Sequence, residues 1–152
     1  MSADGAGGLY VLVIHLCRDL SLRVGALGEQ SLTAGWYLYV GSARRGLRAR
    51  IARHLRREKR VRWHIDYLTT HAECNLVEAV ELIDASIDEC ALCRALREGL
   101  SAAVPIRRFG ASDCAGGCGA HLLRVSARPG RHRIQAIGAP FRGEPVRPYP
   151  RS

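Results

Sequence analysis

The sequence has no long hydrophobic run. Its longest apolar stretch, residues 10–17, is eight residues long and includes His15, whereas a membrane-spanning helix needs about 20 apolar residues. The stretch also lacks the basic flank and small-residue cleavage site that are typical of a secretory signal. We therefore expect a cytoplasmic protein with no membrane partner, in which the six cysteines are thiols or metal ligands rather than disulfides.

Lysine is almost absent as well. Lys59 is the only lysine among 23 basic residues, and the formal net charge is +9. Guanidinium groups bind phosphate through a planar fork and stack on bases, so this composition favours nucleic acid as the partner. Ten of the basic residues lie between positions 44 and 62, where Glu58 is the only acidic residue. Phosphate is then a natural counter-charge, and a solvated charged face is the alternative. The expected contacts are Arg44, Arg45, Arg48, Arg53 and Arg57.

No internal repeat is apparent, and 152 residues fit one domain. Residues 9–16 are apolar on both faces, which is typical of a strand covered on both sides. Further strands are predicted at 35–41, 76–83 and 120–125, and a hairpin at 22–33. Helices are predicted at 46–59 and 87–100, with a helical turn at 63–68. The pattern indicates an α/β (α+β) domain over residues 8–126 and a loose basic Pro/Arg-rich tail over 127–152.

The best single indication of chemistry is Glu89. On a helical wheel it falls within the apolar stripe of the second helix, which consists of Leu92, Cys93, Leu96 and Leu100. A carboxylate on a packed face is costly unless it is paired or binds a metal. Ser86 and Glu89 also have the spacing of a capping box, in which Glu89 only accepts a backbone N–H bond. The spacing leaves both interpretations open.

Arg50 and His54 lie four residues apart beside the apolar stripe of the first helix. An arginine at the edge of a core can neutralise charge that develops on a phosphate, although a solvated face is the simpler interpretation. Tyr10 and Tyr39 lie on the two aromatic strands, where core packing is the alternative role.

A second candidate site consists of sulfur and imidazole ligands. These are Cys90, Cys114, Cys118 and His121. Four such ligands can hold a structural Zn²⁺ tetrahedrally. The spacings are loose, and buried thiols that only pack against the core are the alternative.

Together, these segments resemble the GIY-YIG nuclease superfamily. Gly8-Leu9-Tyr10 and Tyr39-Val40-Gly41 are similar to its two signature triplets, and Arg50 and His54 are similar to residues of the helix that follows. The resemblance covers about residues 8–124 and implies a small, mostly antiparallel sheet flanked by helices, with an extra hairpin between the triplets. More narrowly, residues 63–67, 110–114 and 121–122 resemble a small subfamily of unknown function that also occurs fused to endonuclease III-type DNA glycosylases.

The resemblance implies a metal-dependent endonuclease that hydrolyses phosphodiester bonds in nucleic acid, with DNA as the expected substrate and repair as its context. Glu89 would hold one Mg²⁺ or Mn²⁺, Tyr10 would activate water, and Arg50 would stabilise charge on the phosphoryl group. Tyr39, His54 and His64 would orient water or substrate, or relay the proton. Two alternatives remain: a non-catalytic nucleic-acid-binding module with the same fold, and a structural zinc protein.

Overall fold

The computed structural model describes residues 7–83, 88–110 and 119–138. Over these ranges it is a mixed α+β fold, as the sequence predicted. The elements in chain order are β1 (Gly8–Leu16), β2 (Leu20–Arg23), β3 (Glu29–Leu32), β4 (Gly35–Ala43), α1 (Leu47–Leu55), α2 (His64–Thr69), β5 (Cys74–Ile83), α3 (Glu89–Leu100), β6 (Leu122–Val125) and α4 (Arg131–Gly138).

The main sheet has the strand order β5-β1-β4-β6, and each pair of neighbours is antiparallel. β1 is central and apolar on both faces because both faces are covered. Tyr10 and Leu12 face the core layer that includes Ile65 of α2. Val11 faces a second layer, which includes Leu92 of α3. The predicted two-sided burial of this strand is therefore confirmed.

β2 and β3 form the predicted extra hairpin as a separate two-stranded sheet. Leu22 and Leu32 point into the same core layer as Tyr10. The chain turns between the two strands through Gly28, whose φ of 76° lies in the left-handed region that favours glycine. The hairpin thus covers one face of the main sheet without adding strands to it.

Both long helices begin or end at residues that differ from the prediction. α1 ends at Leu55 instead of residue 59, because the Lys59 ammonium donates to the carbonyls of Arg53 and His54 at 3.2 and 2.8 Å. α3 begins at Glu89 with Asp88 as its N-cap, and the Asp88 carboxylate accepts from the Ala91 N–H at 2.8 Å. Ser86, the first residue of the alternative capping box with Glu89, lies outside the described residues.

The expectation of a loose tail is wrong for residues 131–138, which form α4. Ile134 is fully buried in the layer beside α3, and Ile137 packs against it. Glu78 of β5 pairs with Arg128 and Arg131 at 3.2 and 2.8 Å. Two apolar residues on one face are enough to hold this short helix because α3 and β5 supply the surface it covers. Residues 139–152 lie outside the described part of the chain.

Candidate active site

The two signature tyrosines lie side by side on one face of the sheet. In the antiparallel register of β1 and β4, Tyr10 is opposite Gly41 and Leu12 is opposite Tyr39, so both phenols enter the same core layer. A Cβ atom at position 41 would overlap the Tyr10 ring. The glycine of the second triplet therefore makes room for the tyrosine of the first.

Replacing Gly41 with alanine is expected to displace the Tyr10 hydroxyl and to destabilise the fold by about 1–3 kcal/mol, the usual cost of overpacking. Gly130→Ala is the matched control, because no atom of the described residues lies within 4 Å of a Cβ at that position. Chemical denaturation of both variants measures the difference. Equal stabilities would show that the Tyr10 ring can shift without cost.

α1 brings Arg50 and His54 to the same place. The Tyr10 hydroxyl and His54 Nε2 are hydrogen-bonded at 2.7 Å, and the His54 ring centroid lies 6.3 Å from that of Tyr39. Arg50 donates from Nη1 to the carbonyl of Ser42 at 2.8 Å, and its charge acts on the Tyr10 hydroxyl. The structure thus assembles four of the six residues predicted as catalytic, while their chemical roles stay predictions.

Glu89 is the half-buried first residue of α3. Its carboxylate takes part in no hydrogen bond or ion pair with the residues that the structure describes. Its negative charge raises the pKa of both Tyr10 and Tyr39, which places it within electrostatic reach of the two phenols. The first turn of α3 therefore holds a half-buried carboxylate whose charge acts on both phenols.

Burial dominates the protonation of the cluster. It raises the pKa of the Tyr10 phenol well above its ordinary value, although the Arg50 guanidinium opposes the rise. It also raises the pKa of Tyr39, an effect to which Tyr10 and Glu89 add. Burial, together with nearby Lys59, lowers the pKa of His54 to about 4. Both phenols and the imidazole are therefore neutral at neutral pH.

The five predicted phosphate-binding arginines fall into two groups. Arg44, Arg45 and Arg48 are exposed around the start of α1, as a phosphate-binding surface requires. Arg57 instead donates to the carbonyls of His71 and Cys74 at 2.9 and 2.8 Å. Its guanidinium ties the end of α1 to the start of β5, and its contact with phosphate stays a prediction.

Arg53 forms a two-point ion pair with Asp66, and its contact with phosphate stays a prediction. Its Nη1 and Nη2 donate to the two carboxylate oxygens at 3.0 and 2.9 Å. The Asp66 carboxylate is fully buried and also accepts from the backbone N–H groups of Arg62 and Trp63. Lys59 lies 4.0 Å from it. The charge pattern does not reveal this pair, because Asp66 lies just beyond the basic segment from 44 to 62.

Trp63 was not among the predicted site residues either. Its half-buried indole lies 5.7 Å from the His54 ring, measured between centroids. The guanidinium carbons of Arg50, Arg53 and Arg62 lie 5.0, 4.4 and 5.2 Å from the centre of the indole. The indole therefore forms a wall of the site and stabilises closely spaced cations through its π-system. The arginine-rich sequence around it was the available signal.

His64 is placed differently from the other predicted site residues. Its Nδ1 accepts the Gly110 N–H at 2.8 Å, and its ring lies 5.6 Å from Phe109, measured between centroids. Phe109 in turn lies 6.2 Å from the Tyr39 ring. The described contacts of His64 thus reach the tyrosines only through the turn that contains Phe109 and Gly110.

The predicted zinc ligands are only partly within the described residues. Cys114 and Cys118 lie outside them. Cys90 is buried, and its Sγ accepts from Arg94 Nη1 at 3.3 Å. His121 is buried, and neither of its ring nitrogens has a hydrogen-bond partner among the described residues. Over the described ranges, no three His, Cys, Asp or Glu residues are grouped to hold a metal, so the zinc site stays a prediction.

Comparisons with known proteins identify a family but no activity. No helix in the described ranges has the length and apolarity needed to cross a membrane. Searches of curated proteins and of solved structures found no match. One family model matches residues 9–139, which include every strand and helix of the fold except the first residue of β1. The chain therefore belongs to the family described as domain of unknown function DUF123.

Proposed function

We propose that this protein is a metal-dependent endonuclease of GIY-YIG architecture that hydrolyses phosphodiester bonds in nucleic acid, with DNA as the substrate and repair as its context. The observation that carries the proposal is the 2.7 Å hydrogen bond between the Tyr10 hydroxyl and His54 Nε2. Arg50 and Glu89 act electrostatically on that same hydroxyl. A phenol, an imidazole and a guanidinium in one cluster, with a carboxylate whose charge acts on the phenol, are the groups that phosphodiester hydrolysis requires.

The exposed arginines support the substrate assignment. Arg44, Arg45 and Arg48 surround the start of α1, close in sequence to Arg50. A phosphate backbone that follows this surface would bring one phosphate to the Arg50 guanidinium, which would stabilise the charge that develops on the phosphoryl group. The surface contacts would supply affinity without sequence readout.

The carboxylate of Glu89 fits a hard divalent cation. It offers oxygen ligands, it is half-buried, and no described side chain competes for it. Mg²⁺ is commonly bound by one or two carboxylates together with substrate phosphate and water. When bound, Mg²⁺ or Mn²⁺ would polarise a phosphate oxygen and stabilise the leaving 3′-oxygen.

The proton of the attacking water would leave through Tyr10. As the water oxygen attacks phosphorus and the bond to the 3′-oxygen breaks, the Tyr10 oxygen takes the water proton and passes its own to His54 Nε2. His54 is a weak base in the resting protein because burial lowers its pKa to about 4. A phosphate beside it adds negative charge and raises that pKa, so the substrate itself prepares the acceptor.

The proposal is tested by incubating plain, nicked, flapped and branched DNA with the purified protein, with and without Mg²⁺. Mg²⁺-dependent cleavage of at least one substrate is expected. Binding without cleavage would identify a non-catalytic nucleic-acid-binding module. Stoichiometric zinc in an elemental analysis, with loss of the fold on chelation, would identify a structural zinc protein.

Binding is expected to weaken steeply with salt, because each phosphate contact releases counterions. Arg48→Ala should reduce the slope of log K against log salt by about 1. Arg23→Ala is the control, because Arg23 is an exposed arginine on the separate hairpin, 3.9 Å from Glu29. Fluorescence anisotropy over a salt series measures both slopes. Identical slopes for the two variants would place the phosphate contacts elsewhere.

A further inference from the structure

The turn that closes over Tyr39 has an unusual backbone. Arg108 and Gly110 have φ angles of 70° and 71°, in the left-handed region that a residue other than glycine rarely adopts. A Cβ at position 110 would lie 2.9 Å from Tyr39 Cε1 and 3.1 Å from its hydroxyl oxygen. The backbone of Gly110 is therefore the surface against which the hydroxyl end of Tyr39 rests.

His64 holds this turn from the other side. As the first residue of α2 it is fixed by the helix, and its Nδ1 accepts the Gly110 N–H at 2.8 Å. Only an unprotonated Nδ1 can accept this bond, so the neutral ring carries its proton on Nε2. On the far side of the turn, the His121 N–H donates to the Phe109 carbonyl at 2.8 Å. The turn is thus anchored at two adjacent residues.

We propose that His64 is a pH-sensitive positioning residue, which clamps the Gly110 turn against the Tyr39 hydroxyl and does not itself touch the reacting atoms. The effect on DNA cleavage rests on the proposed function, whereas the clamp does not. The geometry carries the inference, because the Nδ1 lone pair is already used by the Gly110 N–H and the Phe109 ring lies between His64 and Tyr39.

Acid is expected to open the clamp. Burial, with the positive charge of Arg108, lowers the pKa of His64 below its ordinary value. Arg108 is the charged group of the turn that acts on His64. Asp66, the acidic residue of α2, is instead paired with Arg53. The clamp is therefore intact at neutral pH and above, and it is lost as the pH falls from about 6.5 through the pKa of the folded protein.

Two variants separate a clamp from a catalytic group. In His64→Asn the side-chain oxygen can occupy the place of Nδ1, accept the Gly110 N–H and never titrate. In His64→Leu the side chain fills similar space and accepts nothing. The measurements are the hydrogen-exchange protection of the Gly110 amide by NMR across pH, and the pH profile of DNA nicking.

Protection of Gly110 is expected in the wild type at neutral pH and lost on acidification in step with the His64 titration. His64→Asn should keep this protection at both pH values. It should lose the part of the acid limb of the nicking profile that follows the His64 titration, while the part that comes from His54 remains. His64→Leu should reduce both protection and nicking about tenfold at neutral pH, the order expected for one lost hydrogen bond.

Two results would overturn the clamp. The first is a Gly110 protection factor that does not change in His64→Leu. The second is an inactive His64→Asn in which Gly110 remains protected, because Nε2 would then act on the substrate directly. If the wild type cleaves no DNA, the proposed function fails, while the exchange measurement still decides whether His64 holds the turn.

Discussion

Glu89→Gln is expected to abolish Mg²⁺-dependent nicking, with a loss of at least about 100-fold, while DNA binding stays close to that of the wild type. The amide keeps the size of the side chain but removes the charge that a hard cation requires. The proposed phosphate-binding surface consists of arginines around the start of α1, far along the chain from Glu89. Metal-dependent chemistry and substrate affinity should therefore separate in this one variant.

Glu98→Gln is the control for this experiment, because it makes the same change on an exposed residue of the same helix. Both variants lose one negative charge and should unfold at nearly the same denaturant concentration. Removing an acid from the first turn of α3 costs only about 0.3–1 kcal/mol through the helix dipole. Nicking by Glu89→Gln at the wild-type rate would remove Glu89 from the mechanism.

A second readout comes from the tyrosines. The Glu89 carboxylate raises the pKa of Tyr10 and Tyr39, so its removal should lower both values. The ring chemical shifts of Tyr10 and Tyr39 in NMR at neutral pH respond to the loss of this charge and do not depend on activity. Unchanged ring shifts in Glu89→Gln would show that the carboxylate does not act on the cluster.

Much of the fold could be predicted from local patterns. The sequence of β1 predicts a strand because its successive residues are apolar. This pattern is typical of a strand that is covered on both faces. The ends of the helices could not be predicted, because they depend on side chains that arrive from elsewhere. Lys59 ends α1 by bonding two of its carbonyls. α4 was missed because its stability comes from the surface of α3 and β5, and its own sequence has few apolar residues.

The candidate site shows the same division. Tyr10 and Tyr39 lie on the same face of the sheet because of strand alternation and the antiparallel register of β1 and β4. The two sequence triplets already suggest this pairing. The use of each arginine does not follow from charge counting. Arg57 is held by backbone carbonyls, which no composition reveals. Arg53 is held by one carboxylate, that of Asp66, which lies outside the basic segment. Only the three-dimensional structure shows that these two residues pair.

Asp66→Asn is expected to destabilise the protein by about 3–5 kcal/mol at neutral pH, because it leaves buried cations without their counter-charge. The side chains of Arg53 and Lys59 are only 15% and 2% exposed, so solvent can replace little of the lost interaction. Denaturation in urea measures the loss. Glu58→Gln is the control, since Glu58 is an exposed acid of the same basic segment and should change stability by less than about 0.5 kcal/mol.

The pH dependence of stability distinguishes the contribution of the Asp66 carboxylate from those of other groups. Burial alone would raise the pKa of Asp66, but Arg53 and the two backbone N–H groups hold it below its ordinary value. The contribution of the Asp66 carboxylate to the free energy of unfolding is therefore complete above about pH 4. It is lost only as the pH falls through the lower pKa of this group in the folded state. Between about pH 6.5 and 4 the wild type should instead lose the stability contributed by neutral His54 and His64. The pKa of His54 is lowered to about 4, and that of His64 is also below its ordinary value.

Asp66→Asn should still lose stability between about pH 6.5 and 4, as the wild type does. It should lack the further loss of stability that the wild type shows below about pH 4. The result bears on function, because Lys59 and Arg53 hold α1, and α1 carries both Arg50 and His54. A variant that loses less than about 1 kcal/mol would show that the Arg53 guanidinium is not committed to the fold. It would then be available to phosphate, as the basic sequence alone predicts.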